Sequence, residues 1–390
     1  MTKDLKPLTQ QSFAQFFSDK FPSLSNVPSE APPATSTEQP AKAAKVEPST
    51  KRAANLARAL DVSQGLVPAT KGFVGTEFVV LGLPYGKPPG LVHEMRNGNM
   101  TFTITGHPKY GVPYGQDHLV PMFLDTAFMM LGCPNNNTFC FSAAADVLRF
   151  LRLQPDEPWY GWRPKGPDVR GLIGAIDRIM GATYFVEDAR EAYDKLGNKH
   201  QGKVRARYQL MSRYKLWITE GVHPNQHTLW PNAIELDPRH ADNLRNGAAA
   251  PIDIDMVRQL RSSVILTRLA LWQRWRSNTL AVQNQSRVHI PLFGVGGLLE
   301  QFEVATAEHK TARTMLKRWQ RRIKEAWPKC PNVLTKDTLI VHPQPGPVMK
   351  PDARFLKRIA RWDDPGSPFD KDEAAARMRT VNPRVEDPGD

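Results

Sequence analysis

Two kinds of chemistry are worth seeking in this sequence: a reacting centre, and an array of cations for a polyanion. The nearest thing to a reacting centre is Gly82-Leu83-Pro84-Tyr85-Gly86-Lys87. It falls one residue short of a phosphate loop, and Pro88 follows Lys87 where Ser or Thr should hold magnesium. Pro84 and Pro88 also lack the backbone donors that would cradle a phosphate. Gly294-Val295-Gly296-Gly297 does not match the dinucleotide fingerprint, and a tight turn explains it better. A rolling-circle nicking site needs His-x-His, and none is present; His223 and His227 have the wrong spacing and sit in a Pro-rich connector. The carboxylates form no dense cluster for a two-metal site. Cys133, Cys140 and Cys330 are too few and too scattered for a zinc site or a disulfide framework. Neither a metal nor a cofactor is expected, and the chain reads as a non-enzyme.

The cations are better organised. Residues 308–327 carry Lys310, Arg313, Thr314, Lys317, Gln320, Arg321 and Lys324 at three-and-four spacing. Ala312, Met315, Leu316, Trp319, Ile323 and Ala326 repeat in the same way on another face. One helix therefore has an apolar side to dock on a core and a cationic side left in solvent. That is the layout of a recognition helix, although a basic stripe alone is more often a solvated face.

The elements around the stripe sharpen this reading. Residues 262–276 give a core helix through Ile265, Leu269, Trp272 and Trp275. Residues 290–299 run from a strand end through glycines into a short helix. Residues 332–334 and 338–342 read as strands around Thr335-Lys336-Asp337. Helix-turn-helix followed by a hairpin is a winged helix. Upstream, Arg96-Asn97-Gly98-Asn99 marks a hairpin between apolar-rich runs. A long apolar helix follows at 117–131, then a strand at 138–141. Ser142 is placed to cap a helix at 143–153, and a second helix spans 168–180. Strands at 183–187 and 203–218 flank a polar segment with Lys195, Lys199 and His200. The same order of elements thus occurs twice, without a sequence repeat. Residues 222–251, with Pro224, Pro231 and Pro238, read as a connector.

The whole chain has 390 residues, with 52 Lys and Arg against 39 Asp and Glu, a net charge of +13. That balance favours polyanion partners. A run of about eighteen apolar residues, as a membrane span requires, is absent, as is signal-peptide architecture. A reducing, cytoplasmic compartment is the default. The expected fold is α+β, two tandem winged-helix domains with disordered N- and C-terminal tails. The boundaries expected are a tail over 1–75, a first domain over 76–222, a second DNA-binding domain over 223–345, and a tail over 346–390. Residues 23–50 are rich in Pro, Ser, Ala, Glu and Lys and cannot offset their ordering entropy. Residues 51–60 could form a short helix, and 351–362 hold a brief basic amphipathic one. In the first tail Phe13, Phe16 and Phe17 form an amphipathic island, read either as packing on the chain's own domain or as a docking peptide for a partner groove.

Several segments resemble the RepA-type plasmid replication initiators of bacteria. Residues 269–276 (LALWQRWR) resemble that family's helix ending in Trp and Arg. Residues 288–294 (VHIPLFG) with 297–302 (GLLEQF) resemble its "PLFG…GL…Q" segment. Trp319 to Pro328 and Asp337-Thr338-Leu339 resemble the end of its recognition helix and its wing, and Val112-Pro113-Tyr114-Gly115 its "LPYG" entry. The pieces span residues 76–345. The family's Pro-Arg after "PYG" is replaced by Gln116-Asp117-His118, and a second Leu83-Pro84-Tyr85-Gly86 stands upstream. The resemblance implies tandem winged helices that bind repeated sites in double-stranded DNA at a plasmid origin. It further implies opening of an A·T-rich segment, recruitment of host replication proteins, and a possible homodimer through the first domain. A winged-helix transcriptional regulator without origin-melting activity is the alternative.

On this reading His309, Lys310, Arg313, Thr314 and Lys317 reach base edges. Arg318, Arg321, Arg322 and Lys324 hold phosphates, and Lys336 in the wing makes a backbone or minor-groove contact. In the first domain Arg163, Lys165 and Arg170 open the equivalent helix, whose Gly171, Gly174 and Asp177 weaken it. Deleting residues 1–22 is expected to leave the melting temperature and DNA affinity intact while weakening a partner contact. A lowered melting temperature would instead place the Phe island against the folded chain.

Overall fold

The computed structural model describes residues 48–362, except 81, 98–99, 154–156, 194–198, 217–231, 295, 305–307 and 347–348, together with Phe369. Phe13, Phe16 and Phe17 lie outside the described residues. The chain is a mixed α+β structure with two successive units, each built around one long buried helix.

In the first unit that helix is α3 (Leu119–Met130). Its sequence is apolar apart from Asp125 and Thr126, and it is buried from Leu119 to Phe128. Before it come α1 (Pro48–Gln64), β1 (Ala69–Gly75), α2 (Thr76–Val80) and the hairpin β2 (Val92–Asn97) and β3 (Met100–Thr105). After it come β4 (Thr138–Phe141), α4 (Ala144–Arg152), α5 (Gly166–Gly181), β5 (Thr183–Tyr193), β6 (Lys199–Tyr208) and β7 (Met211–Lys215). The order helix, strand, helix, helix, hairpin is as expected, but the pairing is not that of a winged helix. The hairpin β5–β6 takes β3 as its third strand. All four residues of β4 are buried, so it needs partners on both edges, and it finds them elsewhere. Ser142 does not cap α4 either; the Ala143 amide donates to Asp146, and the Ser142 hydroxyl donates to the Arg358 carbonyl.

The partners of β4 come from the stretch read as a connector and from the C-terminal stretch, where the sequence predicts a brief helix but no strand. Residues 222–251 are not merely a connector: they contain β8 (Asn232–Leu236), α6 (Pro238–Arg245) and the start of β9 (Ala249–Asp253). Pro238 takes the first helical turn, where a missing N–H costs nothing, and Pro251 lies on an edge strand. β8 pairs with β4 and β9 with β1, so this segment, assigned above to the second domain, packs on the first unit.

The C-terminal stretch differs from expectation too. β13 (Met349–Pro351) runs parallel to β1, and β14 (Ile359–Arg361) antiparallel to β4. Between them α11 (Ala353–Leu356) puts Phe355 against Phe123, Phe150 and Trp159. Two long-range ion pairs fasten this arm: Asp352 to Arg258 at 2.9 Å and Arg358 to Asp146 at 3.0 Å. Burial pushes the Asp352 carboxyl up, but Arg354 and Arg258 outweigh it and bring it down to about 2.

The second unit keeps the strand order of a winged helix. α7 (Ile254–Leu260) leads into α8 (Val264–Val282), then β10 (Val288–Pro291), α9 (Leu298–Gln301), α10 (His309–Ala326), β11 (Val333–Leu334) and β12 (Thr338–Val341). The sheet order is β10-β12-β11, all antiparallel. Among the described residues no helix is long and apolar enough to cross a membrane.

Phe355 is 1% exposed, so Phe355→Ala should cost about 3–5 kcal/mol in urea unfolding although it lies in what reads as a tail. Asp352 titrates lower when folded, so its contribution is complete above about pH 4 and fades as pH falls toward 2. Asp352→Asn should flatten that acid limb; an unchanged limb would mean that the arm is not held by this pair.

Candidate nucleic-acid interface

The orientation of α10 follows from what it buries. Ala312, Leu316, Ile323 and Ala326 face the core, as the apolar spacing requires, while Met315 and Trp319 are half-buried at its margin. Gln320 belongs to this face and not to the basic one. Its amide meets a buried polar network that apolar spacing does not reveal. Gln273 of α8 donates to Gln320 Oε1 at 3.0 Å, and Asn332 donates to Gln273 Oε1 at 3.0 Å. The Asn332 side-chain oxygen accepts from Ser277 at 3.2 Å and from the His342 amide at 3.0 Å. α8, α10 and the hairpin are thereby cross-bonded through groups that water cannot reach. Unpartnered, each of them would carry a desolvation cost.

With that face fixed, Lys310, Thr314, Lys317, Arg318, Arg321 and Lys324 are exposed. Among the described residues the five cations in this set form no ion pair. Arg322, on the flank, lies 3.9 Å from Glu325. The Thr314 hydroxyl donates back to the Lys310 carbonyl at 3.1 Å.

Arg313 and His309 do something other than the sequence assigns them. Arg313 Nε donates to the Lys336 carbonyl at 2.9 Å, and its Nη2 reaches Asp337 at 2.6 Å. Its guanidinium also lies over the Phe293 ring, 5.2 Å from the centroid. His309 stacks on the same ring at 4.0 Å. Both residues therefore fasten the start of α10 to the wing turn and to the turn before α9. That second turn needs its glycines: Gly294 and Gly296 have φ of 84° and 72°, and a Cβ at Gly297 would meet the Phe293 backbone at 2.8 Å. Lys336 keeps its side chain exposed at the wing tip.

Arg163, Lys165 and Arg170 are exposed at the start of α5, but a carboxylate sits among them. Asp168 accepts from the Lys165 amide at 2.9 Å and pairs with Arg152 at 3.0 Å. Deeper in α5, Arg178 is bound bidentately to Asp117 at 2.7 and 2.8 Å. Only the first turns of α5 thus offer cations to a ligand.

The near-miss phosphate loop proves to be a joint between the two units. Gly82 has φ of 72°, and a Cβ there would meet Arg268 of α8 at 2.4 Å. The Arg268 guanidinium lies over the rings of Tyr85 and Phe302, at 5.3 and 4.9 Å, and donates to the Tyr85 hydroxyl at 3.1 Å. A buried arginine held by two rings, the Tyr85 hydroxyl and the Gln301 carbonyl carries no spacing signal in sequence. Among the described residues no group of three or more His, Cys, Asp or Glu is placed to hold a metal ion.

No family model and no curated protein matches this chain. Among solved structures, one of domains 2 and 3 of RctB aligns at 12% identity with a TM-score of 0.43, covering 68% of this chain and 97% of that one. A second structure of RctB domains 2–3 aligns at 12% identity with a TM-score of 0.38, covering 72% and 99%.

Asn332→Ala should strip partners from Gln273 and Ser277, lower stability by about 1–3 kcal/mol and speed amide exchange along α10. Arg313→Ala should speed exchange at the 335–338 turn in the free protein. Unchanged exchange there would release Arg313 for the base contact that the sequence assigns it.

Proposed function

We propose that this chain is a sequence-specific, double-stranded DNA-binding protein that acts as a replication initiator at repeated origin sites. The observation that carries the reading is the ridge of α10. Its cations stand at helical spacing, exposed and, among the described residues, without carboxylate partners, on a helix whose opposite face is locked. Such a ridge gains free energy from DNA by displacing condensed counterions, and its long side chains reach base edges in the major groove. With Arg313 and His309 engaged by the wing turn and Phe293, base reading falls to the centre of the ridge: Lys310, Thr314, Lys317 and Arg321. Arg318, Arg322 and Lys324 flank it and take phosphates. Lys336 adds a backbone contact from the wing, and Arg163, Lys165 and Arg170 add phosphate contacts from the first unit.

Origin opening, host replication proteins as partners and a homodimer are the further steps of this reading. They rest on the segments that resemble RepA-type initiators. A winged-helix regulator that never opens DNA would share the ridge. The two differ in permanganate reactivity of an A·T-rich segment beside the bound sites, which an initiator induces and a regulator does not.

Arg321→Ala should cost about 1–3 kcal/mol on the specific site and relax its sequence preference. Lys324→Ala should weaken all duplexes alike and reduce the salt slope by about one unit. Identical, sequence-blind losses for both would remove the base-reading role from the ridge.

A further inference from the structure

The flank of α10 away from the wing is not a plain surface. A groove of about 850 Å³ runs along it, lined by Lys310, Thr314, Arg318 and Arg322, by Glu308 at its end and by Ser262 before α8. A second cleft, of about 870 Å³, continues from it and shares Ser262 and Arg322. This cleft lies between the two units and brings together Arg152 of α4, Arg258 of α7, Arg261 of the junction and Arg322 of α10.

Among the described residues, three of these four guanidinium groups have a carboxylate within ion-pair distance, and Glu325 lines the cleft with them; Arg261 is the exception. Arg258 is held by Asp255 at 3.1 Å and Asp352 at 2.9 Å, so it belongs to the fold. Arg152 pairs with Asp168 and lies over the Trp162 ring at 5.0 Å. Among the described residues Arg322 pairs with Glu325, at 3.9 Å. Arg261 has no carboxylate within ion-pair distance among the described residues; its guanidinium donates to the Arg258 carbonyl at 2.6 Å. Burial lowers the Arg261 pKa, and the like charges of Arg152 and Arg258 lower it further, with Glu157 opposing. Arg261, partly buried beside Arg152 and Arg258 and without an ion-pair partner among the described residues, is repelled by their like charges in the free protein. A phosphate among them would relieve that repulsion and accept charge-assisted hydrogen bonds.

We infer that the cleft at Arg152, Arg261 and Arg322 is a seat for a backbone phosphate of the DNA held on α10. The inference rests on the function proposed above and extends it. The seat makes the junction between the units part of the DNA-binding surface, because the cations run from the ridge through Arg318 and Arg322 to Arg261 and Arg152. Arg261 is a residue that neither helical stripe includes. Docking would place a phosphate where both units supply charge, so bound DNA would also fix the orientation of one unit against the other.

The test is fluorescence anisotropy of a labelled thirty-base-pair duplex with the full chain, measured across a salt series. Arg261→Gln should reduce the slope of log affinity against log salt by about one unit, with an unchanged melting temperature. Arg261→Lys should keep most of the slope, because the charge remains. Arg152→Gln gives an independent reading of the same seat should Arg261→Gln fold poorly, and its slope should fall similarly. If the wild type fails to bind the duplex at low salt, the function proposed above fails and the seat with it. If the wild type binds and both Gln variants keep its slope, the seat alone is wrong. Inorganic pyrophosphate separates the remaining source of phosphate. Stabilisation of the wild type but not of Arg261→Gln, with equal DNA slopes, would mean a site for a free phosphate and would overturn the DNA assignment.

Discussion

The buried amide network of Gln273, Gln320 and Asn332 decides which side of α10 meets solvent. An apolar stripe alone leaves a helix free to roll by a fraction of a turn, since Met315 and Trp319 at its margin accept either burial or exposure. Amide groups that must find each other across α8, α10 and the hairpin remove that freedom. Their geometry is directional, and leaving any one of them unpaired in the interior costs more than its net hydrogen bond contributes. Everything proposed for the ridge depends on this. Lys310, Lys317, Arg321 and Lys324 share one outward line only because Gln320, one residue from Arg321, is held inward.

The start of α10 is governed by a different balance. Asp337 and Phe293 draw Arg313 and His309 away from the ridge and into the joint with the wing. An arginine at this spacing reads as a base contact because sequence shows its helix phase and hides its neighbour twenty-four residues away. The fold uses the planar guanidinium as a brace, bonded to a carbonyl and a carboxylate and laid over an aromatic ring. The wing turn has short strands and little core of its own, so this brace supplies the order that burial does not.

What was legible in the sequence follows the range of the interactions. Periodicity places α3, α5, α8 and α10, and Asn-Gly places the β2–β3 hairpin, because these are set by residues a turn or two apart. The strand order of the second unit also follows, since its pieces are adjacent in the chain. The misread parts are held by partners far away in sequence. β8 and β14 exist because β4 is buried and needs two neighbours. Residues 349–361 are polar and Pro-flanked, yet Phe355, Asp352 and Arg358 find sites prepared by Phe123, Arg258 and Asp146. The role of residues 82–87 in seating Arg268 was not legible either. That role depends on a glycine's positive φ and on rings from both units. In the candidate site, the ridge cations could be named from spacing, whereas the duties of Gln320, Arg313 and Arg261 needed coordinates.

The claim that joins these parts is that a locked helix presents its cations to a defined set of DNA sites. Footprinting of the purified full chain on the DNA flanking its own gene, at two salt concentrations, tests it most directly. Regularly spaced protections on direct repeats, persisting at the higher salt, are the result this account predicts. Diffuse protection that the higher salt erases would contradict it, and would leave α10 as a charged face without sequence recognition.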